Sequence, residues 1–154
     1  MSKLRSMAGL TNRGRKALRG SWRGATATEF AIIFPVLMTI VLACIDLGRF
    51  GYMYIAVTNA ARAGAGYGSV QKVTTTTLPA WRSAIRTTCT NEISGATGFD
   101  AKALSIPDPV LITEQDGLKR VQVRVDYQFS MLVNWPFLPN QMALSRTVEM
   151  RMVR

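Results

Sequence analysis

Few side chains in this 154-residue sequence are suited to chemistry, and they are unevenly placed. There is no histidine, which removes the imidazole base, His-containing triads and His-ligated metals, the commonest routes to acid–base, acyl-transfer and zinc chemistry. The two cysteines, Cys44 and Cys89, are too few for a disulfide framework and lack the CxxC spacing of a metal or redox site. Asp100, Asp108, Glu114 and Asp116 have no fixed spacing and fall in turn-rich sequence, so they are expected to be solvated loop acids. An enzyme is not expected, and no catalytic residue, metal ligand or cofactor is assigned. One acid stands apart. Glu29 lies one turn inside an apolar stretch, where an unpartnered carboxylate costs several kcal/mol.

The element that carries Glu29 follows from charge and hydropathy. The formal net charge is +10, yet residues 1–24 hold seven basic side chains and no acid, leaving twelve basic and nine acidic in the remainder. Residues 30–45, FAIIFPVLMTIVLACI, carry no charge. Counted from Ala25 the stretch reaches the roughly 20 residues that cross a bilayer core. So uniformly apolar a segment is hard to enclose in a domain of this size. We expect a basic cytoplasmic leader (1–24), a transmembrane helix (25–46) and its periplasmic extension (47–69), followed by a small periplasmic domain (70–154). The positive-inside rule sets this single-pass orientation and makes a nucleic-acid partner unnecessary.

Within the extension, Phe50, Tyr52 and Tyr54 are placed for an interfacial aromatic belt, and Asp46 with Arg49 for a solvated i, i+3 ion pair. Ala56, Ala60, Ala63 and Gly64 form a small-residue stripe suited to close helix packing. Gly64, Gly66 and Gly68 are expected to end the helix. Trp81, Ile85, Cys89 and Ile93 recur every four residues, predicting a short amphipathic helix over 80–93 whose inward face buries Cys89. Residues 94–108 read as loop. Residues 109–113 form an apolar run, Asp116 and Gly117 a turn, and residues 121–129 a half-buried strand in strict alternation; 142–152 repeat that alternation. The fold class expected is α+β, a long helix leading into a domain of one short helix and a three-stranded antiparallel sheet.

A basic leader before an apolar stretch has three possible fates. A signal-peptidase site is poorly placed, since Ala61-Arg62-Ala63 comes well after the apolar core. A lipoprotein site at Val41-Leu42-Ala43-Cys44 has the bulky Leu42 one position too close to the cysteine. It supports the alternative of a membrane-anchored or lipidated periplasmic binding module. Cleavage on the cytoplasmic side, at Gly24, would retain the helix and create an α-amine at Ala25 one turn from Glu29, close enough to pair with it. Pro35 removes one helical hydrogen bond and should kink or loosen the helix.

The run GATATEF at 24–30 resembles the processing site of type IV prepilins. With EFAIIFP, DLGRF and AARAG following in order, residues 20–68 resemble the TadE-like family of minor pilins or pseudopilins of tight-adherence (Flp, type IVb) systems. A glycine at 66 stands where the family leads one to expect a second arginine. The resemblance implies a pilin-like structural or assembly component, anchored in the bacterial inner membrane or pilus-associated. Cleavage between Gly24 and Ala25 by a prepilin peptidase is implied, as are filament or assembly roles for Glu29, Phe30 and Pro35. Helix packing is assigned to Gly48, Arg49, Ala60, Ala63 and Gly64. Implied partners are the peptidase, other pilins or pseudopilins in a homo- or hetero-oligomer, the inner-membrane assembly platform and the lipid bilayer.

Overall fold

A computed structural model describes residues 21–115 and 117–153. Most of the basic leader, and Asp116 of the expected turn, lie outside the described residues. The elements in order are helix α1 (Ser21–Val70), helix α2 (Leu78–Ser94), a 3-10 turn (Ala101–Ala103), and strands β1 (Leu104–Ser105), β2 (Val110–Thr113), β3 (Lys119–Ser130) and β4 (Gln141–Arg151). The α+β class and the long leading helix are as expected. Two compact units are present, Met1–Cys44 and Ile45–Arg154.

In the first unit α1 keeps its large apolar side chains exposed all round, among them Phe30, Ile33, Phe34, Leu37, Met38 and Val41. A helix that is apolar on every face and unburied by protein suits a hydrocarbon surround. Among the described residues α1 is the helix long and apolar enough to cross a membrane. Pro35 sits inside it without ending it, and the Thr39 hydroxyl donates to the Pro35 carbonyl at 2.8 Å.

The second unit is organised by β3. Its alternation places Val121, Val123, Val125, Tyr127 and Phe129 on a buried face, with the intervening polar residues outside the core. Burying each such side chain contributes about 1.5–3 kcal/mol. Strand β4 pairs antiparallel with β3 throughout, from Arg120 opposite Arg151 to Ser130 opposite Gln141. A strand has two edges, so β1 and β2, which also pair with β3, share the other one: Leu104 lies opposite Tyr127 and Val110 opposite Gln122. Between them, Pro107 and Pro109 lack the N–H a continuous ladder needs. The sheet is thus four-stranded where three strands were expected. The addition is the two-residue β1, inside the segment expected to be loop and too short to show a period. The turn before β3 closes with Glu114 N–H donating to the Leu118 carbonyl at 2.8 Å, and Gly117 takes a φ of 76°, open chiefly to glycine.

Both helices pack on the buried face of the sheet. Helix α2 has Pro79 in its first turn and buries Trp81, Ile85, Cys89 and Ile93, the face its periodicity predicts. From residue 46 onward α1 buries Asp46, Met53, Val57, Ala60, Ala61 and Ala65. It runs opposite in direction to β3: Phe50 meets Phe129 edge-on at 5.6 Å between ring centroids, and a side chain at Gly68 would press on Val121. The glycines do not end the helix. It continues to Val70, and Gly64 and Gly68 are instead points of close approach. A Cβ at Gly64 would collide with Cys89 Sγ, and one at Gly68 would stand 2.7 Å from Ile85 Cδ1. The Trp81 indole N–H secures the same crossing by donating to the Gly68 carbonyl at 3.2 Å.

Candidate functional site

The residues expected to be processed lie in the first turns of α1. Gly24 is exposed, a side chain there would meet nothing within 4 Å, and its carbonyl accepts the Thr28 hydroxyl at 2.9 Å. Glu29 is exposed, and so is Phe30 at 60%, with its ring 5.6 Å from that of Phe34. With Gly24 and Ala25 both helical, Glu29 follows Ala25 by four residues, which puts it on the same helix face as the Ala25 backbone nitrogen.

A second constellation forms at the start of the folded unit, around the DLGRF run. Asp46 is only 3% exposed. Its Oδ1 accepts the Leu132 N–H at 3.0 Å and Arg49 Nη1 at 3.4 Å; its Oδ2 accepts the Val133 N–H at 3.2 Å and the Trp135 indole N–H at 3.1 Å. A carboxylate matched by this many donors can be buried because the lone pairs water would have satisfied are all taken. The Arg49 guanidinium carbon lies 5.4 Å from the centroid of Phe129, within cation–π range, and Phe50 packs on the same ring. Asp46, Arg49 and Phe50 together clasp the β3–β4 connection to α1.

This corrects two expectations. The Asp46–Arg49 pair is the core of a buried polar network, not a solvated surface pair, because the chain returns 86 residues later to place two backbone N–H groups on the carboxylate. Phe50 is half-buried and packs against the core through Phe129, while Tyr52 and Tyr54 stay exposed at 49% and 42%. Sequence reasoning missed the clasp. The available signal was an acid directly after a long apolar run, together with a distant uncharged loop that supplies a tryptophan.

The helix-packing residues are divided. Ala60 and Gly64 are buried, Ala63 and Arg49 are half-buried, and Gly48 is exposed with nothing within 4 Å of an added Cβ. The buried stripe is offset from the expected one: Ala60, Ala61, Gly64, Ala65 and Gly68 lie inward, with Ala56 at its margin. Cys89 is fully buried beneath Gly64, and that burial pushes its thiol up to about 11. Cys44 is exposed on α1. Asp108 pairs with Arg86 and, at 3.9 Å, with Arg82; Glu114 pairs with Arg120 and, at 3.7 Å, with Arg151; Asp100 caps the Lys102 N–H at 2.9 Å. These acids therefore tie loops down. Among the described residues no three His, Cys, Asp or Glu side chains gather as a metal would require.

Compared with protein families, residues 24–66 match the family described as TadE-like protein. The match begins at Gly24 and takes in Glu29, Pro35, Asp46, Arg49, Phe50 and Gly64, the helix side of the clasp, but not the loop that Asp46 holds. No curated protein and no solved structure matches the chain.

Proposed function

We propose that this chain, TadE-like over residues 24–66, is a structural component of a tight-adherence (Flp, type IVb) pilus system, held in the bacterial inner membrane by α1. The family match over residues 24–66 supports the pilus association, and with it a structural role. The observation that best supports anchoring is the contrast along one helix. The large apolar side chains from Phe30 to Ile45 are left exposed by the protein on every face, whereas Met53, Val57, Ala60, Ala61 and Ala65 give one face of the same helix to a folded core. The basic leader places the N-terminus in the cytoplasm and the folded unit in the periplasm.

In this reading a prepilin peptidase, a separate protein, cuts between Gly24 and Ala25. The new α-amine then neutralises Glu29, either in the same helix or in a neighbouring subunit, where the pair sets the register between helices. Phe30 and Pro35 belong to the same helix-to-helix surface, and other pilins or pseudopilins and the assembly platform are the partners. N-terminal sequencing of the membrane fraction tests the cut: cells with the peptidase should yield a chain starting at Ala25, and cells without it the full precursor. An intact leader in both sinks the processing claim. Fatty-acid labelling lost in Cys44→Ala would instead favour the lipidated binding module.

A further inference from the structure

Loop 131–140, which joins β3 to β4, combines unusual exposure with an unusual position. Its base is closed by the Met131 N–H donating to the Asn140 carbonyl at 3.0 Å, and a turn links the Leu138 N–H to the Trp135 carbonyl at 3.4 Å. Within it Phe137 is 95% exposed, Leu132 67% and Leu138 49%. The sequence from 127 to 145 carries no Asp, Glu, Lys or Arg. A large apolar patch without charge is poorly suited to water. Two prolines, Pro136 and Pro139, stiffen the backbone that presents it.

The position follows from the clasp. Leu132, Val133 and Trp135 are all fastened to Asp46. Asp46 is the residue immediately after the apolar, lipid-compatible run of α1 that ends at Ile45. The loop is therefore fastened to the first residue beyond the apolar run, and in membrane proteins aromatic side chains with one polar group, such as that of Trp135, concentrate at such boundaries. The far end of α1, near Gln71, is about 36 Å away at 1.5 Å per residue.

We propose that loop 131–140 is a second membrane contact: Leu132, Phe137 and Leu138 enter the headgroup–acyl boundary of the leaflet on the side of the folded unit. Asp46, one residue beyond the apolar run, is their tether. The occupant is lipid, since the patch is uncharged and is fastened to Asp46, the residue that directly follows the apolar run of the anchor. The proposal rests on the anchoring reading, and the test separates the two.

The full chain carrying Cys44→Ser, reconstituted in phosphatidylcholine–phosphatidylglycerol vesicles, takes a nitrobenzoxadiazole reporter at Phe137→Cys, Gln71→Cys or Leu37→Cys in turn. Cys89, buried with a raised thiol pKa, stays unlabelled, which the parent without an added cysteine verifies. Lipids bearing a nitroxide near the headgroup should quench the reporter at 137 at least twofold, and at least five times more than at 71, while dithionite in the buffer reduces 71 but spares 137. Equal behaviour at 137 and 71 overturns the proposal. Shielding of 137 from dithionite without quenching by nitroxide lipid also overturns it, and assigns the patch to contact with a second copy of this chain. Absence of deep-nitroxide quenching at 37 sinks the anchoring reading and the loop contact with it; quenching at 37 with an aqueous 137 sinks the loop contact alone.

Discussion

Gly64 offers a test of the packing between α1 and α2 in which neighbouring glycines should respond with opposite sign. A Cβ added at Gly64 collides with Cys89 Sγ and stands 3.3 Å from Ile85 Cγ2 and 3.4 Å from Val123 Cγ1. Overpacking of this kind costs about 1–3 kcal/mol, and the collision belongs near the upper end. Alanine recovers about 1 kcal/mol of helix propensity, so Gly64→Ala should lose about 2 kcal/mol net. At Gly66 the nearest atom outside the helix is Met150 Sδ at 4.0 Å, so Gly66→Ala should gain up to about 1 kcal/mol from the same propensity. Cys89→Ala alone removes one buried heavy atom, a loss of about 1 kcal/mol. In the double variant Gly64→Ala/Cys89→Ala the new methyl occupies the space of the missing sulfur, so the pair should couple favourably by about 1.5 kcal/mol, well above the scatter expected of independent sites. Denaturant unfolding of the full chain in mild detergent, followed by far-UV circular dichroism, measures each corner of the cycle. Additivity within about 0.5 kcal/mol, or a shift of the same sign for the two glycine variants, would refute the close approach described here.

Asp46→Ala should leave the Leu132, Val133 and Trp135 donors without their acceptor and lower stability by about 2–3 kcal/mol, with Asp46→Asn intermediate because one carbonyl oxygen remains; the checking measurement is denaturant unfolding, and a change under about 0.5 kcal/mol for Asp46→Ala would remove the clasp's energetic role. The same alanine variant should speed limited proteolysis within loop 131–140 while leaving cleavage elsewhere unchanged. Cys89, its thiol raised to about 11, holds only about one part in a thousand as thiolate at pH 8, so in a Cys44→Ser chain maleimide should modify it far more slowly in the folded state than in denaturant.

Much of this architecture was legible in the sequence because its signals are periodic. The four-residue recurrence of Trp81, Ile85, Cys89 and Ile93 and the two-residue recurrence from Val121 to Phe129 each report a single buried face, and the structure buries those faces. The apolar run from Phe30 was equally plain. What escaped has no period. Strand β1 is two residues long, and the Asp46 network joins residues far apart in the chain through backbone N–H groups that every residue type supplies. The glycines at 64 and 68 misled for a different reason. A glycine that ends a helix and one that admits a neighbour are the same letter, and only the position of Cys89 and Ile85 tells them apart. For the junction at Gly24 and Glu29, the side chains and their spacing suggest a processing step, and in the proposed reading its agent is a separate protein.

The opposed directions of α1 and β3 have a mechanical consequence. If a filament subunit is drawn out of a bilayer by its helix, the pull enters the folded unit at Asp46 and runs parallel to the sheet. Phe50 against Phe129 and Gly64 and Gly68 over α2 and β3 then bear the load side by side, in shear, and must fail together. A helix attached across the strands would let the same force open the contacts one by one. The clasp sits where that load first arrives, so the first bonds to feel tension are the charge-assisted ones on Asp46, which ties the helix to the loop that follows β3.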